Sequence, residues 1–151
     1  MKLACHYRII RVFTDGGSRG NPGLSAIGVY ITDEENNRIY AIGKCIGLAT
    51  NNIAEYTAVL EAHKWIEENQ KHIDRKAKIF FNLDSELVYA QLKGIYKIKN
   101  PVLKEILIKI QYIKCALPFS VFYAHIPREQ NKQADRLVNE ALDNPPLVTY
   151  N

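Results

Sequence analysis

The chain is 151 residues long, with 47% hydrophobic and 24% charged residues. This fits one ordinary globular domain and excludes a disordered or fibrous chain. The formal net charge of +4 and the pI near 8.9 permit a polyanionic partner without demanding one. Cys5, Cys45 and Cys115 are widely spaced, odd in number and without a CxxC pair, which argues against a zinc knuckle and against a secreted disulfide framework. Buried or incidental thiols are expected, with one disulfide open if the source is a hyperthermophile. The N-terminus lacks the apolar core of a signal peptide and no apolar run approaches ~18 residues, so a cytoplasmic protein without a membrane partner is expected.

Residues 7–14 are rich in branched and aromatic side chains and stop at Asp15-Gly16-Gly17, which predicts a strand ending in a turn, with a loop over 18–23. Two more strands, 25–32 and 38–46, are joined by the polar segment 33–37, giving three sequential antiparallel strands. Residues 52–69 predict a helix whose Val59, Ala62 and Ile66 line one face, opened by a capping box of Asn52 and Glu55. A short strand over 78–83 follows. Asp84-Ser85 then opens a short helix ended by Gly94, and Asn100-Pro101 opens another that runs to about Lys114. A fifth strand over 119–125, a loop over 127–130 and a last helix over 131–142 complete the order βββαβααβα, a mixed sheet covered by helices.

Four acids stand at the junctions of these elements. Asp15 and Asp84 end apolar strands, while Glu55 and Asp135 lie in first turns of helices, beside the stripes that pack on the sheet. Each has an ordinary explanation: a turn residue, an N-cap, a capping-box partner, a first-turn acid favoured by the helix dipole. All four together would gather at one edge of the sheet, where open α/β sheets bind ligands. Carboxylates brought so close repel unless cations share the site, and an all-oxygen set suits magnesium. Two divalent ions ~4 Å apart would activate a water and stabilise the leaving oxygen in phosphodiester hydrolysis.

The blocks that carry these acids are Thr14-Asp15-Gly16-Gly17-Ser18-Arg19-Gly20-Asn21-Pro22-Gly23, Thr50-Asn51-Asn52-Ile53-Ala54-Glu55, Leu83-Asp84-Ser85 and Asn131-Lys132-Gln133-Ala134-Asp135. In this order and spacing the chain resembles type 1 ribonuclease H. The resemblance implies an α/β fold of the ribonuclease H-like kind, a five-stranded mixed sheet of order 3-2-1-4-5 with helices on both faces. It divides the chain into an N-terminal extension 1–6, a catalytic domain 7–143 and a tail 144–151. It implies an endonuclease that cuts the RNA strand of RNA·DNA hybrids with two Mg2+ ions, or Mn2+ in their place, leaving 5′-phosphate and 3′-hydroxyl ends, and acting as a monomer.

The resemblance also assigns residues. Asp15, Glu55, Asp84 and Asp135 match the metal-binding acids, with Asp15 bridging and Asp135 held more loosely. Gly16 and Gly17 would let the backbone approach the RNA. Thr50, Asn51 and Asn52 would hydrogen-bond the nucleic acid, and Ser18 and Asn21 would touch it from the first loop. His125 matches a histidine that assists proton transfer or product release in relatives, although here it ends a strand, and Arg128 is a substitute contact. His6, His63 and His72 read as structural or surface residues, and Trp65 as packing.

The chain departs from many bacterial relatives in lacking room for the basic handle helix. Residues 94–100 alone separate the short helix from Pro101, so hybrid binding would fall to Lys93, Lys97, Lys99 and their neighbours. The same lysine stretch, continued by Lys104, Lys109 and Lys114, reads equally as a solvated face. Two rival readings stay open: a nuclease of the same fold acting on other substrates such as double-stranded RNA, and a nucleic-acid-binding module without catalysis.

Overall fold

The computed structural model describes residues 6–146; Cys5, most of the expected N-terminal extension and most of the expected tail lie outside the described residues. Strands β1 (Tyr7–Gly20), β2 (Gly23–Thr32) and β3 (Arg38–Ala49) form an antiparallel meander. Helix α1 (Asn51–Glu68), strand β4 (Ile73–Leu83), helices α2 (Glu86–Leu92) and α3 (Pro101–Ala116), strand β5 (Ser120–His125) and helix α4 (Lys132–Asp143) follow. The sheet order is β3-β2-β1-β4-β5, with β4 and β5 parallel to β1, as expected from the resemblance. Among the described residues no helix is long and apolar enough to cross a membrane.

Two apolar clusters flank the sheet. The larger joins Ile10, Val12, Ile79 and Phe81 of the central strands to Val59, Ala62 and Ile66 of α1 and to Leu103, Ile110 and Ile113 of α3. The smaller sets Val138 and Leu142 of α4 against Ala26 of β2. Helix α4 comes very close to its strands: a Cβ on Gly28 would lie 2.3 Å from the Ala134 carbonyl oxygen, and one on Gly43 would lie 2.3 Å from that of Leu137. Only glycine admits the helix backbone at that distance. Trp65 stacks on Tyr40 at 5.4 Å, which is the packing role expected of it.

Several expected boundaries move, each for a physical reason. Residues 15–20 continue β1 instead of turning, because they pair in register with β2 from Asp15 opposite Gly28 to Gly20 opposite Gly23. Gly16 marks a close approach rather than a turn: a Cβ on it would lie 2.2 Å from the Ala54 carbonyl carbon near the start of α1. On that side the missing Cβ makes room for α1. The capping box is absent as well. Thr50 is the N-cap of α1, its Oγ1 accepting from Ile53 N at 3.2 Å, so Glu55 is free of any capping duty. Ser85 caps α2 in the same way, its Oγ accepting from Val88 N at 3.2 Å, which frees Asp84.

Candidate active site

The register of the three parallel strands builds the site. Thr14 lies opposite Leu83, and Leu83 opposite His125, so β1 parts from β4 at Asp15 just where β4 and β5 end. Asp15 and Asp84 are each the next residue along, and Glu55, which stands one turn into α1 rather than in its first turn as expected because the helix opens at Asn51, is brought over the Gly16 backbone. One ligand oxygen from each of Asp15, Glu55 and Asp84 lies within 4.8 Å of the others. Asp135, in the first turn of α4, stands outside this trio but lines the same cavity of about 380 Å³, together with Asp15, Glu55, Arg19, Asn51 and Arg128.

Burial and mutual repulsion dominate the electrostatics. Asp15 is 2% exposed. Burial first, then the charges of Asp84 and Asp135, push its pKa up to about 7, against the weaker pull of the Gly16 amide and Arg128. Burial and the neighbouring Asp15 and Asp84 raise Glu55 well above the usual carboxylate range, with Arg128 again opposing. Asp15 Oδ1 is buried and finds no hydrogen-bond partner among the described residues. A buried carboxylate oxygen left this way costs free energy unless a cation shares the site. The trio therefore fits a hard divalent ion with oxygen ligands.

Asn131, not singled out in the sequence, holds part of this arrangement. It is 1% exposed, and its Nδ2 donates to Thr14 O at 2.8 Å and to Asp84 Oδ2 at 2.9 Å. One amide thus ties the strand leading into Asp15 to the carboxylate of Asp84. Its only sequence signal is an asparagine where a helix opens, which ordinarily means a cap, and here the side chain makes no cap hydrogen bond.

The loops expected to grip substrate interlock beside the acids. Asn51 Oδ1 accepts from Ser18 N at 2.9 Å, Asn51 N donates to Asn21 Oδ1 at 3.0 Å, and Ser18 Oγ donates to the Gly20 and Ala49 carbonyls. Both amide oxygens are turned inward, so each NH2 group remains a donor toward solvent. Thr50 spends a lone pair on its cap and keeps its hydroxyl proton. Gly17 lies on the cavity wall, where a Cβ would touch Val138 at 3.4 Å, and Asn52 is half-buried beside Asn51.

His125 is not among the residues lining the cavity. Its Nε2 lies 3.2 Å from the Asp84 carbonyl oxygen and its ring stacks on Tyr89 at 6.1 Å. A carbonyl only accepts, so Nε2 carries a proton toward it, and Nδ1 is the nitrogen that can accept whenever the ring is neutral. His63, read as structural or surface, is a fully buried core residue, whereas His6 and His72 are exposed.

The lysine stretch divides. Lys114 sits over the Tyr123 ring at 5.0 Å and Lys109 pairs with Glu105 at 3.7 Å. Lys93, Lys97 and Lys104 surround a groove of about 440 Å³. No helix lies between α2 and α3, so the handle is absent as expected. Cys45 and Cys115 are free thiols.

A five-stranded sheet of this order, with three carboxylates converging where its central parallel strands end, defines a ribonuclease H-like protein. The comparisons agree: the model of the family described as reverse transcriptase-like matches residues 13–141. The chain belongs to that family and, within it, to the type 1 ribonucleases H. It is 30% identical to a ribonuclease H of Clostridium botulinum, covering 87% of this chain and 94% of the relative. It is 45% identical to LC11-RNase H1, isolated from compost by a metagenomic approach, with a TM-score of 0.81, covering 90% of this chain and 96% of that one. A further structure of LC11-RNase H1 is a complex with an RNA/DNA hybrid. The RNase H1 of the archaeon Halobacterium salinarum superposes with a TM-score of 0.82 at 33% identity, covering 91% of this chain and 99% of that one. The first curated relatives, mycobacterial proteins 35% identical to it, are longer, and the match spans 34% of their length.

Proposed function

We propose that the protein is an endoribonuclease that hydrolyses the RNA strand of RNA·DNA hybrids with two magnesium ions, manganese serving as substitute, and leaves 5′-phosphate and 3′-hydroxyl ends. The observation that carries this reading is the convergence of Asp15, Glu55 and Asp84, one ligand oxygen of each within 4.8 Å of the others, with Asp15 Oδ1 buried and without a hydrogen-bond partner among the described residues. The ions, when bound, supply activation of a water and stabilisation of the leaving oxygen. Asp15, Glu55 and Asp84 would hold them, with Asp135 contributing from the cavity wall.

The remaining residues position the substrate. Asn21 and Asn51 turn amide donors toward it, and Ser18 and Asn131 lock the elements that carry them. Donors of this kind match phosphate oxygens, the 2′-oxygen of ribose and the acceptors that every base pair shows in its minor groove, so they favour an RNA-containing duplex without selecting a sequence. Arg128 lies close enough to Asp15 and Glu55 to lower both their pKa values, and its charge offsets that of the acids. His125 offers Nδ1 as a proton acceptor beside Asp84. The relatives support the substrate, since one of them was crystallised with an RNA/DNA hybrid.

Asp15→Asn tests the assignment. It should abolish cleavage of hybrid in magnesium while hybrid binding, read by anisotropy of a labelled duplex, stays within a few-fold of wild type. Near-normal cleavage by this variant would contradict the metal role of Asp15.

A further inference from the structure

Arg19 lies on the β1–β2 hairpin between Ser18 and Asn21 and lines the same cavity as Asp15, Glu55 and Asp135. Its guanidinium pairs with the carboxylate of Asp143, and the two side chains are 50% and 61% exposed. Asp143 is the last residue of α4, a helix with no basic residue in its last turn, so its carboxylate faces the unfavourable end of the helix dipole. Among the described residues Arg19 is its one ion-pair partner. An ion pair this exposed contributes little to stability, whereas a guanidinium binds phosphate in a planar, two-pronged fashion. A phosphate arriving beside the hairpin therefore competes well for Arg19.

We propose that Arg19 contacts a backbone phosphate of the bound duplex, and that Asp143 is the resident counter-ion which that phosphate displaces. The proposal rests on the reading of the site as one for a nucleic-acid duplex. It gives the acidic cavity a second lining cation, carried by the hairpin, in addition to Arg128. The bland alternative is a staple that merely fastens the hairpin to α4, and the two differ in sign. A phosphate contact held back by Asp143 makes the two partners act oppositely on substrate affinity; a staple makes them act alike.

The test compares wild type, Arg19→Gln, Arg19→Ala, Asp143→Asn and Arg19→Gln with Asp143→Asn, reading KM, kcat, melting temperature and the dependence of KM on salt. Both Arg19 variants should raise KM about fivefold or more, with a smaller change in kcat, and should flatten the logarithmic salt slope by about one. Asp143→Asn should lower KM by ~2–4-fold, and should have no effect once Arg19 is glutamine. A KM unchanged in both Arg19 variants, or raised by Asp143→Asn together with a fall in melting temperature, overturns the proposal. A wild type that neither binds nor cuts hybrid overturns the functional reading and this inference with it, whereas a wild type that cuts hybrid with an Arg19-independent KM overturns the inference alone.

Discussion

At the scale of single residues, the site keeps its acids in an arrangement that is unfavourable without a cation. Asp15 carries a pKa of about 7 because it is buried next to Asp84 and Asp135. Asp15→Asn should therefore do more than stop turnover: in chelator it should raise the melting temperature, by an amount worth about 1–2 kcal/mol, because one repelling charge is gone. A variant no more stable than wild type in chelator would contradict the stored repulsion. Asn131 is the counterpart that holds geometry. Removing its two donated hydrogen bonds in Asn131→Ala should cut kcat by tenfold or more, since a bond to a charged carboxylate is worth ~1.5–3 kcal/mol, with KM moving less. His63 shows a different balance. Its Nδ1 donates to Val59 O at 2.7 Å and its Nε2 accepts from the Tyr123 hydroxyl at 2.9 Å, so the buried ring is neutral. Burial, assisted by Lys114, lowers its pKa from 6.5 to about 4. The unfolded chain takes up this proton below about 6.5 and the folded state only near 4, so the ring's contribution is complete above the first value. It falls away as pH drops toward the second, by about 3 kcal/mol in all. Denaturant titrations between these limits should show His63→Phe losing less stability on acidification than wild type, and equal losses would contradict the assignment.

At the scale of elements, backbone contacts decide where the acids stand, and they are the least legible part of the sequence. The apolar stripes of α1 and the central strands were readable because burial imposes a period on them, and so was the strand order once the motifs had been recognised. The close approach at Gly16 was not. Gly16 reads as a turn, yet it lies in a strand because α1 presses on it, and pressure from another element leaves no local signal. The caps misled for a related reason. Asn52 with Glu55 was expected to form a capping box and Asp84 had an ordinary reading as an N-cap, and in both cases a neighbouring hydroxyl, that of Thr50 or Ser85, took the cap, leaving the acids for the site. Gly43 carries the test at this scale. In Gly43→Ala the methyl group would meet the Leu137 carbonyl at 2.3 Å, so α4 must lift, taking Asp135 with it. The variant should lose more than about 2 kcal/mol of stability and much of its activity; an unchanged melting temperature would show that the close approach of α4 is not required.

At the scale of the whole molecule, strand ends, two helix starts and one hairpin form an acidic cleft in a chain of net positive charge. Basic groups lie beyond the acids, with Arg19 and Arg128 at the cleft and Lys93, Lys97 and Lys104 around a separate groove. Without a handle helix, a long duplex depends on these dispersed cations, so cleavage should weaken steeply as salt rises, and KM should carry the effect. The family, the fold and the acid trio are fixed by observation, and the choice of substrate is the claim that joins them. One measurement bears on it most directly: RNA·DNA hybrid, double-stranded RNA and double-stranded DNA of a single sequence, each strand labelled in turn, incubated with the protein in magnesium, manganese or chelator. The account predicts that the RNA strand of the hybrid is cut in either metal, with a 3′-hydroxyl at the new end, and that chelator stops the reaction. Cutting of the DNA strand, cleavage that survives chelation, or an intact hybrid beside cleaved double-stranded RNA would contradict it.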